Sequence, residues 1–271
     1  SDGERVKSRE LFQPALHLNS TPLSIADIFA RQVQAHARAW VFTSATLSVG
    51  ENFAHFTSRL GLSDAETLAI PSPFDFESQA LLYLPPKLPD PASPAHTQAV
   101  VDLAVPLIEA SAGGAFVLFT SHRALQRAAD LLRSRWAEIG DHPLLVQGEA
   151  PREQLLRRFR ESGNAVLLGT ASFWEGVDVK GDALRLVIIE KLPFASPDDS
   201  LTRARIEHLK AQGGNAFREY QLPEAALALK QGVGRLIRSE THRGVVVICD
   251  PRIVDKPYSP RILAANVPDQ P

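Results

Sequence analysis

The sequence predicts an α/β fold with a mainly parallel sheet and helices on both faces. Short apolar runs alternate with amphipathic stretches of helical period, which is how strands buried on both faces read. Small polar clusters rich in Ser, Thr and Gln follow those runs, where the carboxyl ends of parallel strands would lie. A proline-rich stretch over residues 71–96 interrupts the pattern and marks a junction near residue 75.

The elements follow in order. Residues 1–15 are polar and without a clear period. Ser24 offers an N-cap before the stripe Ile25, Ile28, Phe29 and Val33. Residues 40–42 (WVF) read as a short buried strand running into TSATL at 43–47. A second amphipathic stretch passes through Phe53, Phe56 and Leu60 and is stopped by Gly61. Within the proline-rich stretch only residues 80–84 look like a strand. Beyond it come a helix over 97–110, a strand over 115–119, a helix over 122–138 and a strand over 144–146. A helix opened by Pro151, a strand over 165–168 and a strand over 186–189 follow. Ser196, Pro197, Asp198 and Asp199 read as an N-cap, N1 proline and acidic first turn for a helix near 198–212. A helix over 223–238 and a strand over 245–249 complete the pattern. From Pro251 on, the chain is proline-punctuated and is expected to wrap the surface.

Composition bounds the function. The chain has 271 residues with 44% hydrophobic and 22% charged residues, as in a soluble globular protein. Net charge is −2, so a nucleic-acid surface would have to be a local patch. No apolar run approaches the roughly 18 residues of a membrane span, and no signal peptide opens the chain. The single cysteine, Cys249, excludes an internal disulfide and a cysteine-built metal or iron–sulfur site within the chain, and its apolar neighbours predict burial. Methionine is absent and the opening residues are polar, which suggests a piece of a longer protein.

The stretch QGVGRLIR at 231–238 is the most suggestive. Read as a helix, it places Gln231, Arg235 and Arg238 on one face, with Leu229, Val233, Leu236 and Ile237 opposite. Gly232 and Gly234 bare the backbone beside that polar stripe. Two arginines so held can address a phosphate that develops charge; a solvated helix face is the plain alternative. Thr43, Ser44 and Thr46, then Thr120 and Ser121, then Gln147, Gly148 and Glu149, then 169–178 follow successive apolar runs. Hydroxyls and N–H groups there can hold nucleic-acid phosphates, although strand-end Ser and Thr also serve as turn formers. In TASFWEGVD at 170–178, a hydroxyl is followed by Glu175, Gly176 and Asp178, which suits a phosphate at one end and a ribose or arginine at the other. A nuclease site from Glu175, Asp178, Glu190 and Lys191 fails on spacing. Scattered histidines give no metal site. No phosphate-cradling G-x-x-x-x-G-K-[ST] loop occurs, so the chain has candidate arginine fingers without a nucleotide-holding loop.

These stretches resemble helicase motifs: TSATL motif III, FTS at 119–121 motif IV, 170–178 motif V and 231–238 motif VI. In this order they resemble superfamily 2 helicases of the XPD-like type. LVQGE at 145–149, FWEGVD at 173–178, KLPF at 191–194 with PDD at 197–199, and GGNAF at 213–217 are similar to the bacterial DinG/YoaA branch. The resemblance covers roughly residues 16–268. The tail YSPR at 258–261 departs from the usual ending, which bears only on tail contacts.

The resemblance implies a RecA-like (P-loop NTPase-type) fold: the second helicase domain plus a returning segment of the first. Residues 1–75 would be the end of an arch insertion and that returning segment, 76–262 the second RecA-like domain, and 263–271 a tail. It further implies an ATP-dependent 5′-to-3′ DNA helicase of repair or replication, cytoplasmic and nucleoid-associated, with ATP and Mg2+ held mainly by the first domain. Its iron–sulfur cluster would lie in the N-terminal part. Arg235, Arg238 and Gln231 would act on the γ-phosphate, and Glu175, Gly176, Asp178 and Gly234 would lie on the ATP side. Thr120, Ser121 and Thr170 would hold single-stranded DNA, while Thr43, Ser44 and Thr46 would couple the two sites. Partners would be single-stranded DNA and the N-terminal part of the same helicase. An alternative is a protein-binding module that docks a chi-like clamp-loader subunit of DNA polymerase III through the region after Pro251.

Overall fold

The computed structural model describes residues 5–266 except 13–14, 37, 45–46, 49–51, 139, 171–172, 174–182, 197, 235 and 238. Contacts divide the chain into two compact units. One joins Ser1–Ile70 to Phe194–Leu227, and the other joins Pro71–Pro193 to Ala228–Pro271.

In the first unit, β1 (Arg5–Phe12) and β2 (Ala15–Pro22) form an antiparallel ladder running from Arg5 opposite Pro22 to Phe12 opposite Ala15. The opening was expected to be irregular. Backbone pairing between the two strands makes this ladder, and a search for side-chain period does not detect that. Helix α1 (Ala26–Gln34) follows; the Ser24 hydroxyl accepts from the Ala26 N–H at 3.2 Å while Ile25 holds the cap position. Residues 40–42 are not a strand. Val41 is 82% exposed, and Trp40 and Phe42 instead join Phe29 and Phe56 in a chain of ring contacts of 5.8–6.5 Å. A strand needs a neighbour for its N–H and C=O groups, and no described strand pairs with these residues. Helix α2 (Ala54–Leu60) ends as expected on Gly61, whose φ of +66° is the left-handed cap.

The second unit carries the sheet. A short helix α3 (Phe76–Gln79) leads into β3 (Ala80–Tyr83). Next come α4 (Pro94–Ala110), β4 (Ala115–Phe119), α5 (His122–Ser134), β5 (Leu144–Val146), α6 (Arg152–Ser162), β6 (Val166–Thr170) and β7 (Leu186–Ile189). The chain passes through α7 (Ser200–Ala211) in the first unit and α8 (Leu222–Val233), which starts in the first unit and ends in the second. It returns as β8 (Gly244–Ile248) and closes with α9 (Arg252–Asp255) and α10 (Ser259–Asn266), so the stretch after Pro251 is helical. The strands form one parallel six-stranded sheet in the order β3-β8-β7-β4-β6-β5.

Every residue of β4, β6 and β7 is buried, which explains their unbroken apolar runs. On one face, Leu125, Ala128, Ala129 and Leu132 of α5 and Val100, Val101, Ala104 and Ile108 of α4 pack on Val117, Phe119, Val166, Leu168 and Ile188. Phe116 meets Phe159 of α6 at 4.6 Å between ring centroids.

Two helix ends differ from expectation. The cap of α7 is Asp199, whose carboxylate accepts from the Thr202 N–H at 2.6 Å, so the helix starts later than the Ser196–Pro197 reading placed it. Helix α8 stops at Val233, after which the Gly234 N–H reaches Lys230 O and Leu236 N–H reaches Val233 O. The helical stripe expected through Gln231, Arg235 and Arg238 is therefore not a continuous helix. Gly232 and Gly234 cost about 1 kcal/mol each in a helix interior, and turning the chain there buries Leu236 and Ile237. Leu236 lies where a Cβ on Gly244 would stand, 2.6–2.7 Å from its side chain, so the glycine at the start of β8 makes room for it.

Candidate functional site

Five strands of the second unit deliver polar groups to the carboxyl edge of the sheet. Chain direction divides at β4: β5 and β6 lie to one side, β7 and β8 to the other. The crevice at such a switch point is where open parallel sheets bind ligands.

Three of the expected DNA-holding residues meet at this edge. β4 ends into Thr120 and Ser121, both exposed. Ser121 is the N-cap of α5, its hydroxyl oxygen accepting from the Ala124 N–H at 3.2 Å. Thr120 donates its N–H and its hydroxyl toward Glu190 Oε2 at 3.4 and 3.5 Å. At the end of β6, Thr170 is only 7% exposed and donates both its N–H, at 2.7 Å, and its hydroxyl, at 3.1 Å, to Gln147 Oε1 beyond β5. The two threonines thus point donors along the edge, into neighbouring side chains.

The acidic members were not among the expected site residues; the sequence offers Glu190 only to a nuclease site that fails on spacing. Glu190, directly after β7, is fully buried with Lys191 Nζ 3.4 Å from Oε1, an ion-pair distance without hydrogen-bond alignment. His96 lies beneath it, its ring nitrogens 3.0 Å from Pro89 O and from Glu190 O. After β8, the 1%-exposed Asp250 accepts from the Leu192 N–H at 2.9 Å and from Arg252 Nη2 at 2.6 Å. That carboxylate raises the Arg252 pKa. A charged residue directly after a fully apolar strand was the available signal for Glu190 and Asp250. Neighbouring Cys249 is buried as expected, and burial aided by Glu190 and Asp250 pushes its thiol up to about 12.

The other expected site residues are spread more widely. Gln231 is exposed in the last turn of α8, and Gly234 is exposed just after it. Thr43 and Ser44 are exposed and belong to the first unit. Thr46, Glu175, Gly176, Asp178, Arg235 and Arg238 lie outside the described residues. Among the described residues no group of three or more His, Cys, Asp or Glu could hold a metal, and no helix is long and apolar enough to cross a membrane. The edge offers hydroxyls, amides and a helix N-terminus, groups that position a phosphate chain without reading bases.

A family model described as the helicase C-terminal domain matches residues 104–268. The ATP-dependent DNA helicase YoaA of Escherichia coli (strain K12) is 50% identical over 248 residues, covering 92% of this chain and 38% of that protein. The ATP-dependent helicase DinG of Mycobacterium tuberculosis (strain ATCC 25618 / H37Rv) is 38% identical over 257 residues, with 93% and 38% covered. The chain thus spans about two fifths of the length of these relatives. A solved XPD helicase aligns with a TM-score of 0.69 over 92% of this chain and 45% of that one, at 16% identity, a likeness of fold.

Proposed function

The chain belongs to the helicase C-terminal domain family, and from that premise we propose that it is the C-terminal motor portion of an ATP-dependent 5′-to-3′ DNA helicase of repair or replication. The observation that carries the proposal is the polar carboxyl edge, where Thr120, Ser121 and Thr170 meet around the switch point. Those residues hold phosphates of single-stranded DNA, so binding is indifferent to sequence and sensitive to salt.

On this reading residues 1–75 complete a first RecA-like lobe, 76–262 form the second, and 263–271 are a tail. The exposures of Val41 (82%), Leu68 (78%) and Ile70 (80%) support the first assignment, because apolar side chains so bare suit a segment that adds to another body. ATP with Mg2+ sits mainly on the first lobe. Arg235 and Arg238 reach its γ-phosphate, Gln231 senses it, and Glu175, Gly176, Asp178 and Gly234 border it. Thr43, Ser44 and Thr46 couple that site to the DNA. Closure on ATP and opening after hydrolysis move the phosphate grips along the strand. The residues present do not fit an iron–sulfur cluster: the one cysteine is buried with its thiol pushed up to about 12, so any cluster belongs elsewhere in the protein. The site of action is the nucleoid.

The test is Arg238→Ala in the protein carrying both lobes. Loss of an arginine finger lowers hydrolysis by ~10³–10⁵ with the fold intact. Wild-type ATPase in that variant overturns the assignment.

A further inference from the structure

Glu224 lies in the first turn of α8 and faces two basic side chains of α2. His55 Nε2 is 3.1 Å from Glu224 Oε1, and Arg59 Nη1 pairs with the same oxygen. His55 and Arg59 stand at i and i+4, so one face of α2 presents both. His55 is 14% exposed and Glu224 34%, which places the contact at the edge of the packed interior, where solvent screens it only in part. Arg205 of α7 adds its charge from the same side; it lies over the Tyr220 ring at 5.7 Å and reaches the Tyr220 hydroxyl at 3.4 Å. Together these hold the Glu224 carboxyl below its ordinary value, with the His55 hydrogen bond the largest cause.

The clasp stands at a mechanically specific place. The residues just before α8, Phe217–Gln221, form a π-turn, which offsets the helix register and recurs at functional sites. Seven residues on from Glu224 is Gln231. That is two helical turns, so the two side chains share one stripe about 10 Å apart. Helix α2 in turn follows the 43–47 stretch. A carboxylate at one end of α8 is thus tied to the segment after Thr43 and Ser44, and the other end carries the residue assigned to the γ-phosphate.

We propose that Glu224 is a positioning residue. Clasped by His55 and Arg59, it fixes α8 to the segment that follows the coupling motif, so that Gln231 at the other end of α8 arrives in register at the nucleotide. This rests on the motor reading above, under which His55 and Arg59 belong to the first lobe and Glu224 to the second. The compact unit that joins Ser1–Ile70 to Phe194–Leu227 is what that tie predicts.

The test uses the protein carrying both lobes, with ATP and saturating single-stranded DNA. Three variants are compared: Glu224→Gln, His55→Gln with Arg59→Gln, and all three substitutions together. Misplacing a catalytic group by an ångström costs up to about 10²-fold, so Glu224→Gln is expected to lower kcat about tenfold. KM for ATP, DNA affinity and melting temperature should stay near wild type. The triple variant should be no slower than Glu224→Gln alone, because groups that act as one unit do not add. An unchanged kcat, losses that simply add, or a kcat loss matched by loss of the folded state would each overturn the inference. A wild-type protein without DNA-stimulated hydrolysis would instead overturn the motor reading, which keeps the two failures apart.

Discussion

Arg185 makes a sharp test of how the sheet is held at its amino edge. The guanidinium donates from Nε to Ser111 O at 2.9 Å, from Nη2 to Ala112 O at 2.7 Å and from Nη1 to Gly163 O at 3.2 Å. These carbonyls lie just past the ends of α4 and α6, where helices leave acceptors without intrahelical donors. The backbone there passes through the left-handed region at Ala112, Gly113 and Gly114, which strains only the non-glycine Ala112, and a Cβ on Gly114 would stand 2.9 Å from the Arg185 Cζ. Arg185→Met keeps much of the stem's packing and removes every donor. A hydrogen bond from a charged donor contributes about 1.5–3 kcal/mol when buried, but water replaces part of this at a half-buried site. A net loss of about 3 kcal/mol is expected, and with 2–4 °C per kcal/mol that lowers the melting temperature by about 6–12 °C. Thermal unfolding followed by circular dichroism reads it, with Arg185→Lys intermediate because a single ammonium nitrogen replaces the three guanidinium nitrogens that reach separate carbonyls. A shift in Arg185→Met of under about 2 °C would refute the reasoning, since the carbonyls would then be as well served by water.

Two further predictions follow from the same kind of evidence. Gly113→Ala should abolish or severely weaken folding of the sheet unit, by upwards of about 3 kcal/mol, because the new Cβ would meet Asn164 O at 1.9 Å at a φ of +73°; soluble yield and urea midpoint check it, and a wild-type midpoint refutes it. Glu224 and Asp199 both have carboxyls lowered from their ordinary values of 4.5 and 3.8, the first chiefly by His55 and the second by the Thr202 N–H. A depressed folded pKa contributes stability above the unfolded pKa that disappears as pH falls through the folded one. The stability gap between wild type and Asp199→Ala should therefore be full at pH 6 and narrow as pH falls below 3.8, read from denaturant midpoints across that range; a gap that widens on acidification contradicts the cap geometry.

The centre of the sheet was legible because β4, β6 and β7 are buried on both faces and so read as unbroken apolar runs. The ends of elements were less so. Asp199 took the cap from Ser196 because the carboxylate reaching the Thr202 N–H fixes where a helix can start, and two candidate caps three residues apart look alike in one dimension. The Gln231 stripe was extrapolated past Val233 because apolar positions kept helical spacing; Leu236 and Ile237 are indeed buried, but by a turn instead of a further helical turn. Residues 40–42 failed as a strand for want of a partner, which is a non-local property. The place of Thr120, Ser121 and Thr170 at the edge was legible because they follow apolar runs, whereas Glu190 and Asp250 were not expected there because what they meet depends on which strands become neighbours.

The aim of the two threonines bears on how a motor built on this edge would grip. Thr170 gives two firm donors to Gln147, so a phosphate oxygen there must displace an amide oxygen at 2.7 Å. Gln147 precedes Gly148, whose φ of +101° is open only to glycine and whose Cβ position is empty space, so the backbone at that point has room to turn the amide away. Thr120 is held more loosely: contacts of 3.4 and 3.5 Å are at the limit of hydrogen bonding, and their acceptor is a carboxylate. Its exposed side and the α5 N-terminus beyond Ser121 favour an anion, while Glu190 beneath opposes one. On the proposed motor reading, a phosphate taken at Thr120 would meet the Glu190 carboxylate, offset in part by Lys191 3.4 Å from it, and one taken at Thr170 would compete with Gln147. Both would reduce affinity at each step, and a track that must release the strand once per cycle requires grips that are weak one at a time and sufficient together.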